Sequence, residues 1–231
     1  MINKLVESVD SDVYVYQTQL NFGLDFAHKI LNEVTDNISQ FPKRHNYETL
    51  GDPRKLLKQI GKDRTRELYR RYEQFLSLWP GQERIAFDQL FLTESLKQEF
   101  LTIIPSWLHD FAGGPDFMLQ VGHSGNILYP HCGHRRTCSL FLLLQADDQE
   151  TRWYRNTKDF EVIDPLRIPD MDGIEHVVSA VMQPGTWYVF NHKEWHSVHK
   201  YSSEKKRINI GIDFNDIPAT ELVRLIKSHG Y

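Results

Sequence analysis

The sequence predicts an α+β fold in which a helical first half precedes a sheet-rich second half. Two patterns carry this expectation. Before Pro115 apolar residues recur at helical spacing, as in Phe22, Phe26, Ile30, Val34 and Ile38. After it, short runs rich in Val, Ile, Leu, Phe and Tyr arrive at close intervals with turn residues between them. Such a density of short strands favours a sandwich, jelly roll or barrel over a parallel sheet with crossover helices, with the helices laid on one sheet as a buttress. One domain over 1–231 is expected, made of a helical buttress region over 1–115 and a jelly-roll core with a short C-terminal helix over 116–231.

Taken in order, Asp12-Val13-Tyr14-Val15-Tyr16 alternates and is β-prone, and the Phe22 to Ile38 stripe then marks an amphipathic helix. Residues 40–53 are polar and broken by Pro42, Gly51 and Pro53. Leu68, Tyr72, Phe75 and Trp79 mark a second helix, ended by Pro80-Gly81. A third is announced by Ser95 with Gln98 three residues on, a capping box, and carries Leu96, Phe100, Ile103 or Ile104, and Leu108. Pro105 inside that pattern predicts a kink or break, and Ala112-Gly113-Gly114-Pro115 closes the helical half. The aromatic residues of these stripes fill core. Strands are predicted at 117–121, 127–131, 138–145, 151–155, 160–163, 175–182, 186–191, 197–201 and 207–214, and a last helix at 219–228 packs back through Leu222, Val223, Leu225 and Ile226.

Composition bounds the function. With 40% hydrophobic and 25% charged residues the chain reads as an ordinary globular protein. A net charge of −4, with Lys205-Lys206-Arg207 as the longest basic run, gives no general attraction to phosphate backbones, so no nucleic-acid partner is expected. Cys132 and Cys138 make no disulfide framework, and no signal-peptide core or bilayer-length apolar stretch occurs, which predicts a cytoplasmic protein without a membrane partner. Nothing in the sequence bears on oligomeric state.

The chemistry concentrates in three pieces: Tyr129-Pro130-His131-Cys132-Gly133-His134, Trp195-His196-Ser197-Val198-His199 and Arg207-Ile208-Asn209-Ile210-Gly211-Ile212-Asp213-Phe214. His131 ends one predicted strand and His196 begins another 65 residues later, a placement that suits two imidazole ligands of a ferrous ion. Arg207 follows 11 residues after His196, about a tight hairpin on, where its guanidinium fork can grip a carboxylate. Alternation in the last strand separates Ile208, Ile210, Ile212 and Phe214 from Arg207, Asn209, Gly211 and Asp213. The polar set faces either an inner cavity or solvent. His134, a second histidine beside the strand end, and His199, on the face of Ser197, read as groups around the site. Arg135 or Arg136 reads either as a partner for a cosubstrate or substrate carboxylate or as a solvated arginine, and Asn209 as a lining residue. A zinc site at His131-Cys132-Gly133-His134 lacks a second ligand pair.

Gly185-Thr186-Trp187-Tyr188-Val189-Phe190-Asn191, Trp195-His196-Ser197-Val198 and Arg207-Ile208-Asn209-Ile210 resemble the distal histidine and cosubstrate arginine of the Fe(II)- and 2-oxoglutarate-dependent oxygenases. The resemblance covers residues 117–214 and implies a double-stranded β-helix, cupin-like, with His131 and His196 as metal ligands and Arg207, aided by Arg136, on 2-oxoglutarate. The family's usual His-X-Asp/Glu is absent. Tyr129-Pro130-His131-Cys132-Gly133 is similar to the His-X-Gly of the aspartyl/asparaginyl β-hydroxylase branch, and also to that of the radical halogenases, where chloride takes the vacated position. The resemblance implies hydroxylation of a small polar metabolite, amino acid or peptide side chain, with halogenation or a non-catalytic jelly-roll binding protein as alternatives. On this reading Gly133 leaves a third protein position empty, and Gly133→Asp would complete a facial triad.

Overall fold

The structure, a computed structural model, describes residues 13–44, 53–79, 83–84, 87–109, 116–122, 126–133, 136–146, 148–164, 167–199 and 205–231. Strands β1 (Val15–Gln17), β2 (Lys43–Arg44), β3 (Glu83–Arg84) and β4 (Phe87–Phe91) are interspersed with helices α1 (Leu24–Asn37), α2 (Pro53–Ile60), α3 (Lys62–Leu78), α4 (Glu94–Ile103) and α5 (Ser106–His109). Then come β5 (Asp116–Gly122), β6 (Asn126–His131), β7 (Cys138–Gln145), β8 (Glu150–Asn156), β9 (Ile174–Val181), β10 (Trp187–Asn191), β11 (Trp195–His199) and β12 (Arg207–Phe214), and finally helix α6 (Ala219–Ser228). Asp12, Gly51, Pro80-Gly81, Ala112 to Pro115 and the end of the predicted strand at 200–201 lie outside the described residues.

The strands form a larger sheet ordered β1-β10-β7-β12-β5-β4-β2 and a smaller one ordered β3-β6-β11-β8-β9. All pairings are antiparallel except β3 with β6. From β5 onward the chain passes between the sheets, with β5, β7, β10 and β12 in the larger and β6, β8, β9 and β11 in the smaller. Phe141, Leu143, Tyr188 and Phe190 of the larger sheet meet Trp153, Val178 and Ala180 of the smaller, which makes a shared core between two facing sheets.

The outer face of the larger sheet is covered by helices. Phe26, Ile30 and Val34 of α1, Leu96 and Phe100 of α4, Leu108 of α5 and Leu222 and Ile226 of α6 join Leu119, Leu140, Leu142, Val189 and Ile208, Ile210, Ile212 and Phe214 in one buried cluster. The apolar half of β12 is therefore the half under the helices, and the polar half faces the space between the sheets. Pro105 breaks the third helix as expected, separating α4 from α5. Its start differs: the cap is Thr93, whose Oγ1 accepts the Leu96 N–H at 3.5 Å, so Ser95 lies inside the first turn and no Ser95–Gln98 box forms.

Two further expectations are corrected. The helices do not all lie on one sheet, because α3 covers the smaller one: Leu68, Tyr72 and Phe75 pack with Tyr129 of β6 and with Ile163 and Ile168, and the Trp79 ring packs at a tilt on His199 of β11 with centroids 4.9 Å apart. Residues 160–163 form no strand. That segment is held from the side by buried Arg71 of α3, which donates to the carbonyls of Glu161 at 2.8 Å and Ile168 at 3.0 Å, so carbonyls that a ladder would use are already taken. Strand β4 is unanticipated; its Phe-Asp-Gln-Leu-Phe run is short, yet it pairs along β5 and buries Gln89 and Leu90.

Candidate metal and anion site

The candidate site residues come from both sheets. On the smaller sheet, β6 and β11 run antiparallel with His131 and His196 as direct cross-strand partners, and their imidazoles stand 4.3 Å apart between centroids. Neither strand alone supplies the pair; register does. In each ring Nδ1 lies against a carbonyl two residues back, Tyr129 O at 3.0 Å for His131 and Glu194 O at 2.8 Å for His196. A carbonyl only accepts, so Nδ1 carries the proton and donates it, and Nε2 keeps its lone pair. Burial pushes the His131 pKa down to about 4, helped by the Arg136 charge and opposed by the Tyr129 carbonyl. Burial likewise holds His196 well below its ordinary value, with His131 adding to the effect and the Glu194 carbonyl opposing it. Both imidazoles are thus neutral at neutral pH, with orientation and tautomer set as metal-ligating histidines require.

The larger sheet supplies the charges. On β12 Arg207 is half-buried, and its Nη1 is buried with no hydrogen-bond partner among the described residues. Burial lowers its pKa to about 10, with the Tyr188 phenol acting in the opposite sense. A guanidinium with one nitrogen buried and unpaired among the described residues is costly to keep, and the arrangement makes sense as a receptor for an anion. Asn209, two residues on, donates to Gln120 Oε1 of β5 at 3.4 Å. Arg136, by contrast, is committed within the protein, because its Nη1 donates to the two oxygens of buried Asp213 at 3.2 and 3.3 Å.

Gly133 is not the gap that its missing side chain suggests. A Cβ built there would lie 2.8 Å from Arg136 O, 2.9 Å from His192 Cβ and 3.1 Å from His192 O, and the Gly133 N–H already donates to His192 O at 2.5 Å. The glycine is required by close approach of the two backbones, and a carboxylate there has no room. The expectation that Gly133→Asp would complete a triad is corrected accordingly. Among the described residues no three His, Cys, Asp or Glu side chains stand together as a metal-binding group.

His199 points to the opposite face of β11 from His196. Its Nε2 is 2.7 Å from Ser197 Oγ and 3.4 Å from Tyr154 OH under α3, a structural cluster outside the cavity. His134 and Arg135 lie outside the described residues. Three further residues had no role in the sequence reading: His192, Ser139, whose Oγ is 2.9 Å from His192 Nε2, and Asp213 as the partner of Arg136. Asp213 was visible in the alternation of β12. His192 followed the end of a strand four residues before His196 and carried no other signal.

No protein-family model matches the chain, and no curated protein matches it in sequence. Among solved structures, the Escherichia coli ribosomal oxygenase YcfD aligns with 60% of this chain and 34% of its own at 12% identity and a TM-score of 0.37. A Pseudomonas putida prolyl-4-hydroxylase aligns over 80% and 98% at 14% identity and 0.35. The L-ribose isomerase of Cellulomonas parahominis aligns over 73% and 81% at 16% identity and 0.35. The chain spans about a third of the length of the ribosomal oxygenase. Similarity of this order leaves function to be argued from the site. None of the described helices is long and apolar enough to cross a membrane.

Proposed function

We propose that the protein is an Fe(II)- and 2-oxoglutarate-dependent oxygenase that hydroxylates a small polar metabolite, an amino acid or a peptide side chain. The observation that carries this reading is a cross-strand pair of histidines on the smaller sheet, fixed through Nδ1, together with a half-buried arginine of the facing sheet whose Nη1 is buried and has no partner among the described residues. The passage of β5 to β12 between two sheets is the order of a double-stranded β-helix, which supports the same reading.

The residues present fit the two groups. Neutral imidazoles are good ligands for ferrous iron, and His131 and His196 would hold it through Nε2. Arg207 would form a two-pronged pair with the far carboxylate of 2-oxoglutarate, which satisfies its orphan Nη1. When bound, iron and 2-oxoglutarate supply oxygen activation: one oxygen atom of O2 ends in succinate with release of carbon dioxide, and the other enters a substrate C–H bond. The chain's own residues orient and exclude. The Tyr129 and Glu194 carbonyls fix the imidazole planes, Asn209, held by Gln120, stands two residues along β12 from Arg207, and Phe190, edge-on at 4.8 Å to His196, covers one side of that ring. Arg136 pairs through Nη1 with Asp213, so on this reading Arg207 is the principal anchor of the cosubstrate.

Hydroxylation is favoured over halogenation because water fills an open coordination position without help, whereas a buried chloride needs donors around it. The test is succinate release from 2-oxoglutarate by anaerobically iron-loaded protein on exposure to oxygen. Succinate from the unaltered protein, abolished in His131→Ala and His196→Ala, is the expected result. No iron uptake by the unaltered protein would leave a non-catalytic binding protein as the better reading.

A further inference from the structure

His192 lies directly beside the point from which a carboxylate at position 133 would extend. An ideal Cβ on Gly133 falls 2.9 Å from the Cβ of His192, closer than two such atoms can stand, so the His192 side chain begins immediately beside where a side chain at 133 would. An aspartate Oδ and a histidine Nδ1 both stand two bonds beyond Cβ, so their reach is alike. The backbone of His192 is clamped beside the end of β6, its N–H donating to Thr137 O at 3.0 Å and its carbonyl accepting the Gly133 N–H. The ring is buried, 5.5 Å from that of His196 and 4.9 Å from Phe190.

One ring nitrogen is accounted for: Nε2 is 2.9 Å from Ser139 Oγ. The other, Nδ1, is buried and has no hydrogen-bond partner among the described residues. Buried polar atoms are nearly always paired, and a residue that only filled space here would more economically be apolar. The three imidazoles do not converge as a metal-binding group, so a hydrogen bond is the interaction left for Nδ1. We infer that His192 is a positioning residue whose Nδ1 hydrogen-bonds the non-protein ligand, water or a halide, that fills the coordination position taken elsewhere by a carboxylate. This rests on the metal reading above and adds the group that tunes it. The same nitrogen serves either ligand, as acceptor from water or, in the other tautomer, as N–H donor to halide.

Substitutions separate the two nitrogens. His192→Asn keeps a polar atom near the Nδ1 position and gives up the Ser139 contact; His192→Gln does the reverse. The probe is Co(II) alone, followed by its visible ligand-field spectrum and its binding isotherm, in halide-free buffer and with added chloride. The expected result is that His192→Asn keeps the spectrum of the unaltered protein, while His192→Gln shifts it and weakens Co(II) binding by roughly tenfold. Ser139→Ala, which removes only the Nε2 partner, should leave the spectrum unchanged and serves if His192→Gln fails to fold. A chloride-dependent change that His192→Gln abolishes identifies halide; the same contrast without chloride sensitivity identifies water. Overturning results are His192→Gln matching the unaltered protein, His192→Asn shifting as far as His192→Gln, or Ser139→Ala shifting the spectrum. Failure of the unaltered protein to take up Co(II) would instead strike the metal reading itself.

Discussion

Gly133→Ala and Gly133→Asp probe the most constrained point of the site. An added Cβ meets Arg136 O at 2.8 Å, His192 Cβ at 2.9 Å and His192 O at 3.1 Å, and two of these three atoms are backbone that cannot rotate away. Overpacking of this kind costs about 1–3 kcal/mol. Displacing the strand end also stretches the Gly133 N–H bond to His192 O, for about 1 kcal/mol more. The sum of about 2–4 kcal/mol lowers the melting temperature of a chain this size by roughly 4–16 °C. Gly133→Asp should be worse than Gly133→Ala, because it adds a carboxylate with nowhere to go. Urea denaturation of the metal-free proteins measures the loss, and metal titration should show no gain in affinity for the aspartate variant. A Gly133→Asp protein as stable as the unaltered one, with tighter iron binding, would refute the packing argument and restore the simple vacancy.

Arg207→Lys keeps the charge but loses the planar fork, so its affinity for 2-oxoglutarate should fall about tenfold or more in calorimetric titration. Arg207→Met should abolish that binding without destabilising the metal-free protein, since it removes a half-buried cation whose buried Nη1 has no partner among the described residues. His199 is buried with its pKa down to about 3, mainly through desolvation. The unfolded chain takes up the proton first, near pH 6.5, so the stability held in neutral His199 is complete above that value. It drains away as pH falls toward 3, by an amount on the order of 5 kcal/mol at most. Chemical denaturation across pH 3–7 should therefore show a steeper acid loss in the unaltered protein than in His199→Gln, and parallel curves would contradict this. Arg71→Met leaves the Glu161 and Ile168 carbonyls without their donor. It should cost about 3 kcal/mol and open residues 159–170 to limited proteolysis; unchanged protease resistance would contradict that role.

The sequence was most legible where one periodicity ruled a whole element. Strands 138–145 and 207–214 and helix 219–228 have the predicted bounds because an apolar run in the first, alternation in the second and helical spacing in the third extend through the whole element. The two faces of β12 could be separated by alternation, but which face looked inward depended on the helices covering Ile208 to Phe214. The apolar, β-prone run at 160–163 misled because its one deeply buried side chain, Ile163, packs against α3 while Arg71 claims backbone carbonyls, a tertiary effect with no local trace. Gly133 misled differently. From sequence a glycine is an absence, whereas in space it is the only residue that lets the end of β6 approach His192. His192 was hidden for the same reason, since its relation to Gly133 is made across the cavity mouth and not along the chain.

The measurement that tests the central claim most directly is anaerobic calorimetric titration of 2-oxoglutarate into the protein with and without Fe(II), alongside His196→Ala and Arg207→Lys. The account predicts one equivalent bound tightly only when iron is present, no metal-dependent binding in His196→Ala, and weakened binding with iron retained in Arg207→Lys. Binding that is indifferent to iron, or that survives both substitutions unchanged, would contradict it.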